Sequence, residues 1–269
     1  MIRDKSKILD EYGFKWNRAK KIYTKVFSGN FLQDQKKYHT TVITTKRNQN
    51  LFKNRFFFYR FQIKDFNCET DYKIYYDYIN SLILNHLKKF DEIVDLGSGY
   101  GERILMIKPF LKPNTKIYSG EFTKTGIQTQ KYLLKKYKFK NVKPFIFDFN
   151  DLKKKYSFNL KNPIFTTFQS IEQITFLKDN FLKNLKTKFK VKTVNFLNLE
   201  PVGFQLNQGH RFDNANKRYN IKHSYNQNFV PLLKKVKPKN FKIEKDIYNV
   251  LDKKSNSIKS GLSLITFKF

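Results

Sequence analysis

The chain has 269 residues, with 54 Lys and Arg against 22 Asp and Glu, a formal charge of +32, and is rich in Phe (29) and Tyr (16). That length suits one α/β domain with an N-terminal extension rather than two globular domains. The lone Cys68 excludes an intramolecular disulfide and a thiolate zinc site, and no metal site is expected. No run approaches the roughly 18 apolar residues of a membrane span, and Met1 to Lys7 lacks a signal-peptide core, so a soluble cytoplasmic protein is expected.

The charge has two readings. A polyanionic partner such as RNA or DNA is one, because clustered cations bind phosphate backbones and release counterions. Compositional background is the other: Lys outnumbers Arg 46 to 8 and only Ala19 and Ala215 are alanine, the profile of A/T-rich codons. Base and phosphate recognition leans on arginine, which is scarce here. Codon bias does not explain the scarcity of acids, so both readings stand.

In chain order, residues 1–70 form the extension. Tyr12, Trp16, Tyr23 and Phe27 recur at helical spacing, with Lys and Arg between them. Tyr38-His39-Thr40-Thr41-Val42-Ile43-Thr44-Thr45 reads as extended, being rich in β-branched residues. Asn54 to Phe61 is an aromatic cluster framed by Arg55 and Arg60. Such interleaving stacks single-stranded bases in some proteins, but more often it fills a core. Asp71 to Lys89 has Tyr75, Tyr76, Ile79, Leu82, Ile83 and Leu87 near helical spacing and predicts a helix packed before the first strand of the main domain, residues 71–269.

Asp91-Glu92-Ile93-Val94-Asp95-Leu96-Gly97-Ser98-Gly99-Tyr100-Gly101-Glu102 reads as a buried strand that ends on an acid and opens into a glycine-rich turn before a helix. A dinucleotide fingerprint G-x-G-x-x-G needs glycine where Glu102 stands, and no Gly-Lys-Ser/Thr follows for a P-loop. Asp95, two residues before the first glycine, suits a cationic ligand better than a pyrophosphate. The string Val94 to Gly101 resembles the first motif of the class I S-adenosylmethionine (SAM)-dependent methyltransferases.

That resemblance implies a Rossmann-like seven-stranded, mostly parallel sheet with helices on both faces and an antiparallel C-terminal strand pair, and SAM as cofactor. Asp95, Gly97, Ser98, Gly99 and Gly101 are then its first contacts. Lys116 to Glu121 reads as the second strand, with Glu121 20 residues past Gly101. The resemblance implies that Glu121 binds the ribose hydroxyls and that Phe122 lies on the adenine. The third strand, Asn141 to Phe147, leads into Asp148 and Phe149, where the family's acid accepts from the adenine amine. The fourth begins at Ile164 and leads into Gln169, a further cofactor contact, and Ser170-Ile171-Glu172-Gln173-Ile174, where relatives often carry Leu-Glu-His. Thr193 to Leu199 is the fifth strand, ending on Glu200. Phe241 to Val250 and Leu262 to Phe269 form the closing pair. The resemblance covers roughly residues 70 to 269.

The acceptor site belongs beyond the carboxyl ends of the strands. A polar insert, residues 201–229, reaches that place with two of the four histidines. Its length and polarity make it the expected substrate-recognition region. Methyl transfer is an in-line displacement, with a base needed for a hydroxyl nucleophile. The candidates are His210, then His223, with Glu172 as a basic or orienting carboxylate; Arg211, Arg218 and Tyr219 are candidate contacts for an acceptor with an anionic group. Loop histidines also serve as surface or supporting residues.

Asn162-Pro163-Ile164-Phe165 superficially resembles the Asn-Pro-Pro-Tyr/Phe box of amino-methyltransferases, and would serve if a strand ended just before it. The leading expectation is a methyltransferase acting on a small-molecule or sugar-like acceptor, most simply at oxygen. The alternatives are an RNA or DNA methyltransferase and a non-catalytic SAM-binding module.

Overall fold

The computed structural model describes residues 5–25, 28–43, 55–59, 62–65, 70–151, 156–205, 213–248, 250–252, 257–258 and 261–269. Its centre is a seven-stranded sheet in the order β5-β4-β3-β6-β7-β11-β8. These strands are β3 (Glu92–Leu96), β4 (Lys116–Glu121), β5 (Val142–Ile146), β6 (Ile164–Phe168), β7 (Asn195–Glu200), β8 (Lys239–Tyr248) and β11 (Gly261–Lys268). The pairs among β3 to β7 are parallel; β11 runs antiparallel to both β7 and β8. The Rossmann-like fold with its closing antiparallel pair is therefore present.

Central strands of such a sheet are covered on both faces, so they read as unbroken buried runs. All five residues of β3 are buried. Successive residues serve opposite layers: Ile93 packs with Ile79, Ile83 and Leu87 of helix α3 (Thr70–Leu87), whereas Val94 joins Phe165, Phe189, Phe196 and Phe229. The second layer is largely aromatic, with ring pairs such as Phe165 on Phe189 at 5.1 Å.

The N-terminal extension packs beside the start of the sheet. Helix α1 (Lys5–Lys25) puts Trp16, Ala19 and Tyr23 on one face, against Tyr100, Leu105 and Leu133. The segment expected to be extended at Tyr38 is instead part of helix α2 (Phe31–Ile43). The Asn30 side chain accepts from the amides of Leu32 (3.0 Å) and Gln33 (3.2 Å), an N-cap. Phe31 and Tyr38, seven residues apart, both stack on Tyr23. Capping and tertiary stacking outweigh the β-branched run that follows. Tyr137 also donates to buried Asp34 at 2.7 Å, fixing α2 to helix α5 (Lys124–Lys136).

A second sheet was not anticipated from the sequence. It has the order β10-β9-β1-β2, from β1 (Arg55–Tyr59), β2 (Gln62–Asp65), β9 (Val250–Asp252) and β10 (Ser257–Ile258). The aromatic stretch after Asn54 is thus the strand that joins the N-terminal hairpin to an insertion between β8 and β11. The strand expected to run from Phe241 to Val250 stops at Tyr248, and Val250 begins a strand of the other sheet.

Candidate functional site

A cavity of about 450 Å³ lies at the carboxyl ends of β3, β4, β5 and β6. The glycine turn after β3 forms its floor. The amides of Gly97 and Ser98 both donate to the carbonyl of Gly120 on β4 at 2.8 Å, and the Gly99 amide donates to Glu121 Oε2 at 2.9 Å. All three glycines have positive φ: 76° at Gly97, 58° at Gly99 and 83° at Gly101. Each is also crowded by protein. A Cβ at Gly97 would lie 2.4 Å from Ser170 Cβ, one at Gly99 2.9 Å from Trp16, and one at Gly101 3.2 Å from Gln130. The turn is therefore gripped from three directions.

Gln130, fully buried on α5, donates to Gly99 O at 2.7 Å and Ser98 Oγ at 2.8 Å. Trp16 covers Gly99 and leans on Tyr100 with ring centroids 5.2 Å apart. With Ile8 and Tyr12 it brings helix α1 into the cavity wall.

Glu121 closes β4. Its Oε1 accepts from Thr123 N (2.9 Å) and Thr123 Oγ1 (2.7 Å), and Thr123 in turn caps α5 by accepting from Gly126 N. The Phe122 amide is a fourth donor to this carboxylate, which also lines the cavity. Burial raises its pKa against the pull of these donors.

Two further buried carboxylates stand nearby. Asp95 accepts from Thr166 Oγ1 at 2.7 Å, and burial pushes its pKa up to about 7, with Arg103 opposing and Glu200 and Glu121 adding to the rise. Glu200, at the end of β7, accepts from the amides of Ser170 (3.0 Å), Ile171 (3.1 Å) and Glu172 (3.1 Å). Burial pushes its pKa up to about 7 as well.

Of the expected cofactor contacts, Gly97, Ser98, Gly99, Glu121, Phe122, Asp148, Phe149 and Gln169 line the cavity. Asp95 and Gly101 lie outside its lining: Asp95 turns to Thr166 on the neighbouring strand, and Gly101 faces Gln130. Gln173, Ile174, Thr175 and Phe176 complete the rim after β6, together with Phe168. That rim is laced to the insert. Asn226 N donates to Glu172 O (2.9 Å), Asn226 Nδ2 to Ile174 O (2.7 Å), and Thr175 Oγ1 to Ser224 O (2.8 Å).

His210 and Arg211 lie outside the described residues. Arg218, Tyr219 and His223 belong to helix α7 (Asp213–Lys222) and its following turn, and are absent from the described lining. His223 is exposed, its ring 4.0 Å from Tyr219 and its Nδ1 2.8 Å from Tyr219 O, so Nδ1 is the donor and Nε2 the acceptor. Glu172 also falls outside the lining and accepts from Gln173 Nε2 at 2.8 Å. Asn162 precedes β6, at the opposite end of the strand from the cavity, so the Asn-Pro box does not follow the carboxyl end of a described strand. Gln130 was not singled out in the sequence; Trp16 stood out only for its helical spacing and Ser170 only as part of the segment after the fourth strand. Among the described residues no group of His, Cys, Asp or Glu is placed to hold a metal, and no helix is long and apolar enough to cross a membrane.

Strand order and site together define a Rossmann-like α/β chain with the sheet architecture of the class I methyltransferases. No family model and no curated protein matches the sequence. Among solved structures, the chain is similar to a SAM-dependent methyltransferase from Aquifex aeolicus (10% identity, 70% of this chain and 88% of that one, TM-score 0.47). It is also similar to human N-acetylserotonin methyltransferase in complex with SAM (15%, 70% and 50%, TM-score 0.46) and to PigF with SAH (13%, 74% and 56%, TM-score 0.49). It thus spans about half the length of the last two.

Proposed function

We propose that the chain is a SAM-dependent methyltransferase whose acceptor is a small or sugar-like molecule methylated most simply at oxygen. The observation that carries this reading is the charge of the cavity. One residue in five of the chain is basic, yet Arg103 is the single basic side chain among the described lining residues, against Glu102, Glu121 and Asp148. Such a wall favours a cationic ligand over a polyphosphate. Arg103 is itself held by Asn80, to which it donates at 3.0 Å.

The residues present fit SAM. Glu121 would take the ribose hydroxyls, Phe122 and Phe149 flank a planar base, and Asp148 would accept from its exocyclic amine. Bound SAM supplies an electrophilic methyl group on sulfur. The chain's part is to orient: the gripped glycine turn sets the cofactor's depth, and the rim from Phe168 to Phe176 aligns the acceptor for in-line attack. Uncharged amides at Gln169 and Gln173 beside Phe168 and Phe176 suit a neutral hydroxylated acceptor stacked on an aromatic face. His210 is our nominee for the base that takes the hydroxyl proton, with Arg211 beside it.

A nucleic-acid acceptor is the second reading. It draws on the +32 charge and on the exposed Lys15, Arg18, Lys21 and Lys25 of α1, the helix that reaches the cavity. The deciding experiment is transfer of labelled methyl from SAM into a host-cell extract at near-physiological salt. Label in the small-molecule or glycan pool supports the first reading; label lost on nuclease treatment supports the second. No transfer to any pool would leave a SAM-binding module.

A further inference from the structure

We propose that Glu200 is a positioning residue that holds the rim after β6 in register with the glycine turn; this rests on reading the cavity as a SAM site. Immediately after β6 the chain reverses through Gln169, a non-glycine residue at φ 56°, a conformation costly for an L-residue unless its surroundings impose it. Those surroundings are on the neighbouring strand. Gln169 N donates to Leu199 O at 2.9 Å, and the next three amides, of Ser170, Ile171 and Glu172, converge on the Glu200 carboxylate. One fully buried acid thus anchors the start of the short 3-10 turn Ile171–Gln173.

The clamp propagates in two directions. Toward the glycine turn, Ser170 Oγ donates to Leu96 O at 2.7 Å, and Ser170 Cβ occupies the space that Gly97 leaves open. Toward the insert, the Glu172 carbonyl accepts from Asn226 N. Glu200 touches neither half of the ligand cavity, since it is absent from the described lining, but it fixes the segment that joins them. Without its carboxylate, three amides lose their shared acceptor and the strained turn at Gln169 loses its support from the following residues. The rim would then meet the cofactor in several geometries rather than one.

The test uses the full chain with Glu200→Gln, which keeps one carbonyl oxygen but presents an NH₂ group to an N–H, and Glu200→Ala, which keeps neither oxygen. Leu197→Ala is the control: Leu197 is buried on the same strand in the layer of Ile164, Leu199 and Leu264, so its loss destabilises without removing a bond of the clamp. SAM affinity is read by titration calorimetry, and backbone amide exchange is followed across residues 169–173. We expect faster exchange at those amides and SAM binding weakened about tenfold in Glu200→Gln and further in Glu200→Ala. Leu197→Ala should lower Tm and leave both readouts near wild type. Unchanged exchange and affinity in Glu200→Gln, or equal weakening by Leu197→Ala, would overturn the assignment. Wild-type protein that fails to bind SAM would instead count against the SAM reading, and amide exchange would still decide whether Glu200 holds the rim.

Discussion

The two sides of the cavity are built by different rules. On the proposed cofactor side, each contributor sits at or just past a strand end: the glycine turn after β3, Glu121 at the end of β4, and Asp148 after β5. A parallel sheet brings those ends together, so spacing along the chain specifies the place of each. On the proposed acceptor side, the rim after β6 and the return of the insert at residues 224–228 are joined by individual hydrogen bonds between loops. Nothing periodic encodes those. One side is a consequence of the sheet, and the other is specific to this chain.

If that contrast is right, damage to the cofactor side should be severe and should fall on SAM, while damage confined to the return of the insert, away from the Glu200 clamp, should spare SAM. The largest effect expected is from Gly97→Ala. It places a side chain at φ 76° and 2.4 Å from Ser170 Cβ, and should cost about 4 kcal/mol in a denaturant melt. Glu121→Ala comes next. It removes the acceptor for Gly99 N and both Thr123 donors as well as the proposed ribose contact, and calorimetry should show SAM binding weaker by about 100-fold.

Asn226→Ala breaks the acceptor side. Asn226 is buried, donates to Ile174 O, and accepts from Asn228 N and Phe229 N through Oδ1. Its loss should cost about 2 kcal/mol of stability and raise the acceptor KM, while the SAM Kd shifts by less than about twofold. A large shift in SAM affinity would erase the distinction between the two sides.

The smallest effect is one of pH. Asp95 and Glu200 are raised to about 7 from ordinary values of 3.8 and 4.5, chiefly by burial. A raised folded pKa means that the stability each contributes is full below its unfolded pKa and is lost as pH rises through 7. From these groups Tm should fall between about pH 4 and 7. SAM affinity should rise as pH passes through about 7, where Asp95 and Glu200 ionise near the cavity with Arg103 the opposing charge. Parallel trends in Tm and affinity would contradict the assignment of these acids.

How much of this was legible in the sequence follows the same divide. The strands at Glu92–Leu96, Lys116–Glu121 and Ile164–Phe168 stood out because double-sided burial demands unbroken apolar runs, and the acids after them follow from the fold's spacing. Which way an acid points is a matter of pleat and neighbour, so Asp95 could be located but not oriented; Thr166 decides that. Helix α2 was hidden because Thr40-Thr41-Val42-Ile43 dominates locally, while its determinants, the Asn30 cap and the Tyr23 stack, lie elsewhere. Gln130 and Glu200 act through contacts 31 and 30 residues away in sequence, which no local pattern announces. The small sheet joins residues near 57 to residues near 250, and is invisible for the same reason.

The most direct test of the central claim is parallel titration calorimetry of the full chain with SAM and with NAD at about pH 8, where the buried acids are ionised. The account predicts one-to-one binding of SAM and no measurable binding of NAD, because three acids and a single arginine line the described cavity. Binding of NAD with no binding of SAM would contradict it.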